Sequence, residues 1–276
     1  MPRRIDGNNA LYHYLQKVII PRDDEFSREL VRRLILDLSI WFPVALYSAA
    51  PVLLPYCVRD SSVKAKEWGS ANSHGCLRDN NSALKTLAAN YAIQSPRISV
   101  YPRASRGHGF VASHAWRRIR IDGGSHYAVT HPRTYSFIPN LAWLPAQVAK
   151  LTDHEGSYAQ QVLQAISHVL YTPAAAQHPA GLAAIWQSLP APDLRIEVDV
   201  SQVNYFVVTP RSVSLRRNIL LREIGAVEDT LSSGIAADAS PRSKRYLPTL
   251  AGVAREEAAG LLSWLDEYKT FLRAGI

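Results

Sequence analysis

Cysteine is scarce in this chain of 276 residues, which contains only Cys57 and Cys76. Two cysteines cannot form a four-cysteine zinc site, and they are too few for the disulfide framework of a small secreted domain. We therefore expect a reduced, cytoplasmic protein whose fold is held by packing.

Long uninterrupted apolar runs are also missing. The most apolar stretch, residues 34–57, contains Asp37, Pro43 and Pro51, which a membrane-spanning helix tolerates poorly. The N-terminal sequence MPRRIDGNN carries positive charge, but no apolar segment follows it, so we expect no signal peptide. The sequence thus predicts a protein without a membrane partner.

Motifs of several enzyme classes are absent as well. The sequence has no G-x-x-x-x-G-K-[ST] phosphate loop, no G-x-S-x-G nucleophile elbow and no G-x-G-x-x-G dinucleotide turn. The segment RIEVDV contains Glu197 and Asp199, but no lysine follows at the spacing of the P-D…D/E-x-K motif, which is found in a large class of nucleases. These nucleotide-binding, hydrolase and nuclease classes are therefore set aside.

The amino-acid composition indicates a globular, basic protein. Hydrophobic residues make up 47% of the chain, enough to bury one large core or two modest ones. Lysine and arginine outnumber aspartate and glutamate by 31 to 23, which gives a net charge of +8. This balance favours a polyanionic partner.

Apolar periodicity predicts helices at both ends of the chain and strands between them. We predict helices over 8–21, 24–42, 157–171 and 249–273, strand-like segments with loops over 95–142, and strands over 194–200 and 204–210. Helices and strands in separate stretches indicate an α+β fold.

A histidine inside a predicted strand is the most informative single feature. His114 lies in GFVASHAWRRIRI (109–121), and Asn140 follows 26 residues later, directly before LAWLP and a helix start. His114 is interpreted as a general base aimed at a phosphate, or as a half-buried structural histidine. Asn140 alone is compatible with an ordinary helix N-cap, and Asp153 with His154 is compatible with a polar helix end before Gly156.

Three segments together resemble the HNH-type endonucleases, the ββα-metal family, and within it the proteins related to restriction enzymes. They are FVASHAW (110–116), SFIPNLAWLPAQVAKLTDH (136–154) and GCLRDNNSALKTL (75–87). The resemblance implies a ββα-metal, HNH-like nuclease core over 71–171. It would be flanked by an N-terminal helical region, 1–70, and a C-terminal region, 172–276, with strands and helices for DNA recognition or dimerisation.

The resemblance also implies roles for individual residues. His114 matches the general base, and Asn140 matches the family asparagine, either as a brace for the loop or as a ligand of the metal ion. Asp153 and His154 are further candidate ligands, and Ser113 occupies the position where many members have a metal-binding aspartate or histidine. The implied cofactor is one divalent cation, Mg²⁺ or Mn²⁺.

Arginines around the predicted strand form a candidate track for DNA phosphates, with a solvated strand face as the alternative. They are Arg103, Arg106, Arg117, Arg118, Arg120 and Arg133. A second basic cluster, RSVSLRRNILLR (211–222), is compatible with a core helix that has a basic outer face or with a DNA-lining helix.

The resulting hypothesis is a metal-dependent endonuclease that hydrolyses double-stranded DNA, as a sequence-specific type II restriction enzyme. A homodimer is expected because cutting two strands requires two nicking sites. The alternatives are a basic DNA-binding protein without catalysis, and an HNH nuclease of toxin or defence type acting on another nucleic acid.

Overall fold

The computed structural model describes residues 7–22, 24–60, 64–105, 107–121, 123–237 and 242–274. It is a mixed structure, 52% helical and 14% strand, which fits the predicted α+β class. Within the described part of the chain, no helix combines the length and the apolar character needed to cross a membrane.

Helices occur along the whole described chain and alternate with short strands. They are α1 Gly7–Tyr14, α2 Glu25–Leu38, α3 Val44–Ala49, α4 Ser82–Leu87, α5 Pro132–Tyr135, α6 Ala146–Ala149, α7 Tyr158–Ala175, α8 Ala180–Gln187, α9 Pro210–Ser233, α10 Tyr246–Leu250 and α11 Ala259–Ala274. The strands are β1 Ile40–Trp41, β2 Cys57–Val58, β3 Leu77–Arg78, β4 Ile93–Gln94, β5 Phe110–His114, β6 Arg118–Ile121, β7 Gly124–Tyr127, β8 Leu141–Pro145 and β9 Asn204–Phe206.

The main sheet has five strands in the order β4, β9, β1, β8, β5. The β1–β9 pair is parallel and the other pairs are antiparallel. Its strands come from all three regions distinguished in the sequence, so those regions are interleaved in one sheet rather than placed side by side.

The predicted helix over 24–42 is too long at its C-terminal end. Asp24 caps α2 by accepting a hydrogen bond from the Ser27 amide at 2.7 Å, but the helix ends at Leu38. The Asn204 side-chain amide donates to the carbonyls of Asp37 and Ser39, at 2.8 and 2.9 Å. These tertiary hydrogen bonds provide donors for carbonyl groups at the C-terminal end of α2, and the residues that follow pair in the sheet as β1.

The predicted strand over 194–200 is also wrong. Residues 194–199 are irregular, and only 204–206 of the second predicted strand form β9. Leu194, Ile196 and Val198 are nevertheless partly buried against the core. Their alternation therefore reflects packing of one side of an extended chain, which does not require a strand partner.

The predicted C-terminal helix, 249–273, is divided into two. The helix α10 ends at Leu250, and α11 begins only at Ala259. Gly252 lies in the turn between them, where glycine weakens helix propensity.

An aromatic cluster forms the centre of the core beside the sheet. Phe42, Trp143 and Phe206 are at most 1% exposed, and their ring centroids lie 5.0 to 5.3 Å apart. The long helix α7 packs against α2 and α3, and its Tyr171 hydroxyl donates to the Phe42 carbonyl at 2.6 Å. This packing holds the central sheet against α7.

We expect Phe206→Ala to lower the free energy of unfolding by about 3–5 kcal/mol, because it leaves a cavity in the aromatic cluster. The matched control is Phe26→Ala, since Phe26 is 67% exposed on α2. That variant should change the stability by less than about 0.5 kcal/mol. Urea unfolding followed by tryptophan fluorescence measures both, and equal losses would contradict this description of the core.

Candidate active site

The pairing of β5 with β8 brings His114 close to Asn140. In this antiparallel register His114 lies opposite Leu141, the residue after Asn140. The Ala115 amide also donates to the Asn140 carbonyl at 3.1 Å, which extends the pairing one step beyond β5. Two residues 26 positions apart in sequence are thus neighbours in the fold.

The chain between His114 and Asn140 folds into short elements of secondary structure. It contains the β6–β7 hairpin, the short helix α5 and a 3-10 turn over Ile138–Asn140 that leads into β8. The hairpin turns at Gly123, whose φ of +76° lies in the left-handed region that glycine adopts without strain. The long spacing between His114 and Asn140 is therefore filled by regular structure.

Asn140 is fully buried and holds the end of β5. Its side-chain Oδ1 accepts a hydrogen bond from the Trp116 amide at 2.6 Å. Helix α7 supports both sides of this contact, because Gln164 donates to the Ala115 carbonyl at 3.1 Å and Ser167 donates to the Pro139 carbonyl at 2.6 Å. Asn140 therefore acts on the backbone that follows His114.

The His114 ring is half-buried, and its Nε2 lies 2.9 Å from the carbonyl oxygen of Tyr135. A carbonyl oxygen only accepts hydrogen bonds, so Nε2 carries the proton and Nδ1 retains its lone pair. Burial, together with a smaller effect of the nearby Arg59, lowers the pKa of His114 to about 4 against the opposing effect of the bond to Tyr135. His114 is thus a neutral imidazole at pH 7.

Tyr135 connects His114 to the segment RDNNS. The Tyr135 side chain is fully buried, and its hydroxyl donates to Asp79 Oδ2 at 2.6 Å and lies 3.1 Å from Asn81 Oδ1. The ring of Tyr135 also lies along that of His114, with centroids 5.9 Å apart and planes at 28°. These contacts set the position of the carbonyl that orients His114.

A cavity of about 410 Å³ opens beside His114. Of the residues predicted for the site, Ser113, His114, Arg117 and Asp153 line it. Three further basic residues, Arg59, Lys85 and Lys150, line it as well, together with Asn80 and Asn81. The cavity therefore combines a neutral histidine with four cationic side chains.

Two of the three additional cationic residues lie in motifs that the sequence analysis identified, and the third does not. Lys85 and Lys150 lie inside the motifs GCLRDNNSALKTL and SFIPNLAWLPAQVAKLTDH, so the motifs themselves were a usable signal. Arg59 follows β2 and has no local motif. Its position depends on a backbone hydrogen bond from its amide to the Val129 carbonyl, at 2.7 Å, which only the fold creates.

Several predicted site residues lie outside this cavity. Asn140 is buried behind β5, and His154 Nε2 lies 2.9 Å from the side-chain nitrogen of Gln16. Arg103 is exposed and does not line the cavity. Arg106 lies outside the described residues.

The remaining predicted arginines are divided between two places. Arg118 lies over the ring of Tyr127, 4.7 Å from its centroid, and Tyr127 itself lines the His114 cavity. Arg120 and Arg133 instead line a separate cavity of about 220 Å³. Among the described arginines of the predicted track, Arg117 lines the His114 cavity and Arg118 contacts its lining residue Tyr127, whereas Arg103, Arg120 and Arg133 do not line it.

The donor set around His114 does not fit a preformed metal site. Across the described ranges, no three His, Cys, Asp or Glu side chains are grouped so that they could hold a metal ion. Among the described residues lining the cavity, Asp153 is the only carboxylate, and burial raises its pKa against the attraction of Arg117. Asn140 Oδ1 is occupied by the Trp116 amide.

Comparison of the chain with protein-family models, curated proteins and solved structures gives no match. The fold and the site define a mixed α/β protein with a basic cavity around a neutral, oriented histidine.

We expect the His114 imidazole to titrate near pH 4 in the folded protein and near 6.5 in the chain unfolded by urea. Between these values the unfolded chain binds more protons, so this group makes stability rise with pH from about 4 to 6.5 and leaves it level above. Histidine Cε1–H NMR shifts measure both midpoints. A folded-state midpoint near 6.5 would contradict the assigned burial.

We expect Asn140→Ala to lower the free energy of unfolding by about 1–3 kcal/mol, because the buried Trp116 amide loses its acceptor. Amide exchange at Trp116 should accelerate in parallel. The matched control is Asn218→Ala, at an exposed position of α9, which should leave both measurements unchanged. Unchanged exchange at Trp116 in the Asn140 variant would rule out the bracing contact.

Proposed function

We propose that this chain hydrolyses phosphodiester bonds in DNA, with His114 as the general base. The observation that carries the proposal is the hydrogen bond from His114 Nε2 to the Tyr135 carbonyl, which leaves Nδ1 as the only proton acceptor of a ring that lines a cationic cavity. A general base must be unprotonated and oriented before substrate arrives. Burial meets the first condition by lowering the pKa of His114, and the contact with Tyr135 meets the second.

The order of elements supports a ββα nuclease of the HNH type. The histidine strand β5 pairs with β8, and the helical segment after β8, Ala146–Thr152, begins with α6, which packs against both strands. The buried asparagine between the strands holds the backbone just after the histidine. This contact favours the bracing role of Asn140 over a role as metal ligand.

The charges of the cavity suit a phosphodiester. The cations Arg59, Lys85, Arg117 and Lys150 would attract the phosphate and stabilise the negative charge that develops on its oxygens. His114 Nδ1 would take a proton from water while the water oxygen forms a bond to phosphorus. The bond from phosphorus to the 3′ oxygen then breaks, and that oxygen takes a proton from solvent.

Dependence on one Mg²⁺ or Mn²⁺ ion is part of the hypothesis that the family resemblance supplies. Asp153 and Ser113 are its candidate protein ligands at the cavity, and Mg²⁺ is commonly held by one or two carboxylates together with substrate phosphates. The described residues alone do not form a preformed site for such an ion.

A type II restriction enzyme acting as a homodimer is the narrower form of the proposal. It is supported by the sequence resemblance and by the net charge of +8, which favours a polyanionic substrate. Two alternatives predict different results. A basic DNA-binding protein without catalysis would not cleave DNA, and a toxin or defence nuclease would cleave another nucleic acid.

We expect discrete fragments when the protein is incubated with supercoiled or linear plasmid and Mg²⁺ or Mn²⁺, and none with EDTA. His114→Ala should lower the rate by about 10²- to 10⁴-fold, because the general base is removed. The control is His108→Ala, at an exposed loop position before β5 that does not line the cavity. It should cleave at the rate of the unaltered protein.

Other outcomes separate the alternatives. Diffuse degradation that His114→Ala abolishes would retain the nuclease and exclude site specificity. Cleavage of RNA alone would favour a defence or toxin enzyme. Salt-sensitive DNA binding without cleavage, equal in both variants and the unaltered protein, would overturn catalysis and leave a DNA-binding protein.

A further inference from the structure

A second cavity, of about 450 Å³, lies on the other side of α4 from the His114 site. Helix α4 borders both, because Lys85 lines the His114 cavity whereas Thr86 and Leu87 line the second one. Helix α9 forms another wall with Arg216 and Ile219. The His114 reaction uses none of the residues on these walls.

Arg216 is a buried cation with unused hydrogen-bonding capacity. The residue is only 7% exposed, and one terminal nitrogen donates to the carbonyl of Leu53. Within the described part of the chain its buried Nε has no hydrogen-bond partner. A guanidinium carries five N–H donors, so Arg216 has donors that the contact with Leu53 does not use.

Arg242 brings a second guanidinium to the same cavity. Its polar contacts with described residues are long, 3.6 Å from Nε to Glu223 Oε1 and 3.5 Å from Nη1 to Thr86 Oγ1. Its charge also adds to the effect of burial in lowering the pKa of Arg216. The two cations are therefore close enough to repel each other.

The local charge is not balanced. Glu223 is 8% exposed and pairs with Arg242 at Oε1, while its Oε2 has no partner among the described residues. None of the described residues lining the cavity is an aspartate or glutamate. Two arginines and one carboxylate leave one net positive charge, with Arg216 and Glu223 buried and Arg242 exposed, and an anionic ligand would neutralise that charge.

The rest of the cavity is apolar, with a few neutral polar groups. Its walls include the aliphatic and aromatic side chains Phe42, Leu87, Tyr91, Val207, Leu215 and Ile219. Asn90 and Ser212 add hydrogen-bonding groups. A largely apolar cleft of this volume with a few convergent polar groups is the usual form of a small-molecule site.

We propose that this cavity binds a small organic anion with an apolar ring, its charged group held by Arg216 and Arg242 and its ring packed against Tyr91 and Leu215. Guanidinium groups recognise carboxylates and phosphates through paired hydrogen bonds. A free carboxylic acid and a nucleotide share this chemistry. The site is independent of the proposed nuclease activity.

The test is a calorimetric titration of the full chain with 2-naphthoate and with thymidine 5′-monophosphate. The neutral analogues 2-naphthamide and thymidine control for the ring alone. We expect at least one anion to bind about tenfold or more tightly than its neutral analogue, and Arg242→Gln to remove that difference. Arg222→Gln, at an exposed arginine of α9 that does not line the cavity, should preserve it.

A second variant tests the position of the site without altering its charges. Leu215 is 58% exposed and lines the cavity, so Leu215→Trp should fill its entrance and weaken anion binding about tenfold. The preferred anion distinguishes a carboxylate site from a nucleotide site. Absence of binding, equal binding of charged and neutral probes, or binding insensitive to both Arg242→Gln and Leu215→Trp would overturn the proposal.

Discussion

The candidate active site depends on one buried hydrogen bond, from the Trp116 amide to Asn140 Oδ1. It joins the end of the histidine strand to the turn that enters β8, and two side chains of α7, Gln164 and Ser167, hold the carbonyls on either side. In a low-dielectric interior such a contact is strong when made and costly when broken. The backbone before and after this point is consequently held in one arrangement, and His114 is placed by it.

A second constraint runs from Asp79 through Tyr135 to His114. The tyrosine hydroxyl donates to the carboxylate, and the tyrosine carbonyl faces the imidazole. Tyr135 therefore fixes the position of His114 relative to Asp79, because its side chain contacts one and its backbone carbonyl contacts the other. This is why the RDNNS segment, distant in sequence from FVASHAW, contributes to the same site.

The excess of basic residues has a structural counterpart in the two cavities. Arg59, Lys85, Arg117 and Lys150 gather around His114 with one lining carboxylate, and Arg216 and Arg242 gather beside α4. Cations on a solvated surface carry little information about ligands, because water and salt screen them. Cations that share a cavity concentrate positive potential, so these two places are where anions are expected to bind.

The sequence by itself determined the mixed α and β composition, the approximate extents of α2 and α7, and the strand around His114, because periodicity and capping are local properties. It also singled out His114 together with Asn140, through their order along the chain. Only the tertiary structure decided that α2 ends at Leu38 and that residues 194–199 do not form a strand. It also decided that Arg59 and Lys150 line the same cavity, whereas Arg120 and Arg133 line a different one. These outcomes depend on hydrogen bonds and packing between residues far apart in sequence, which no local pattern encodes.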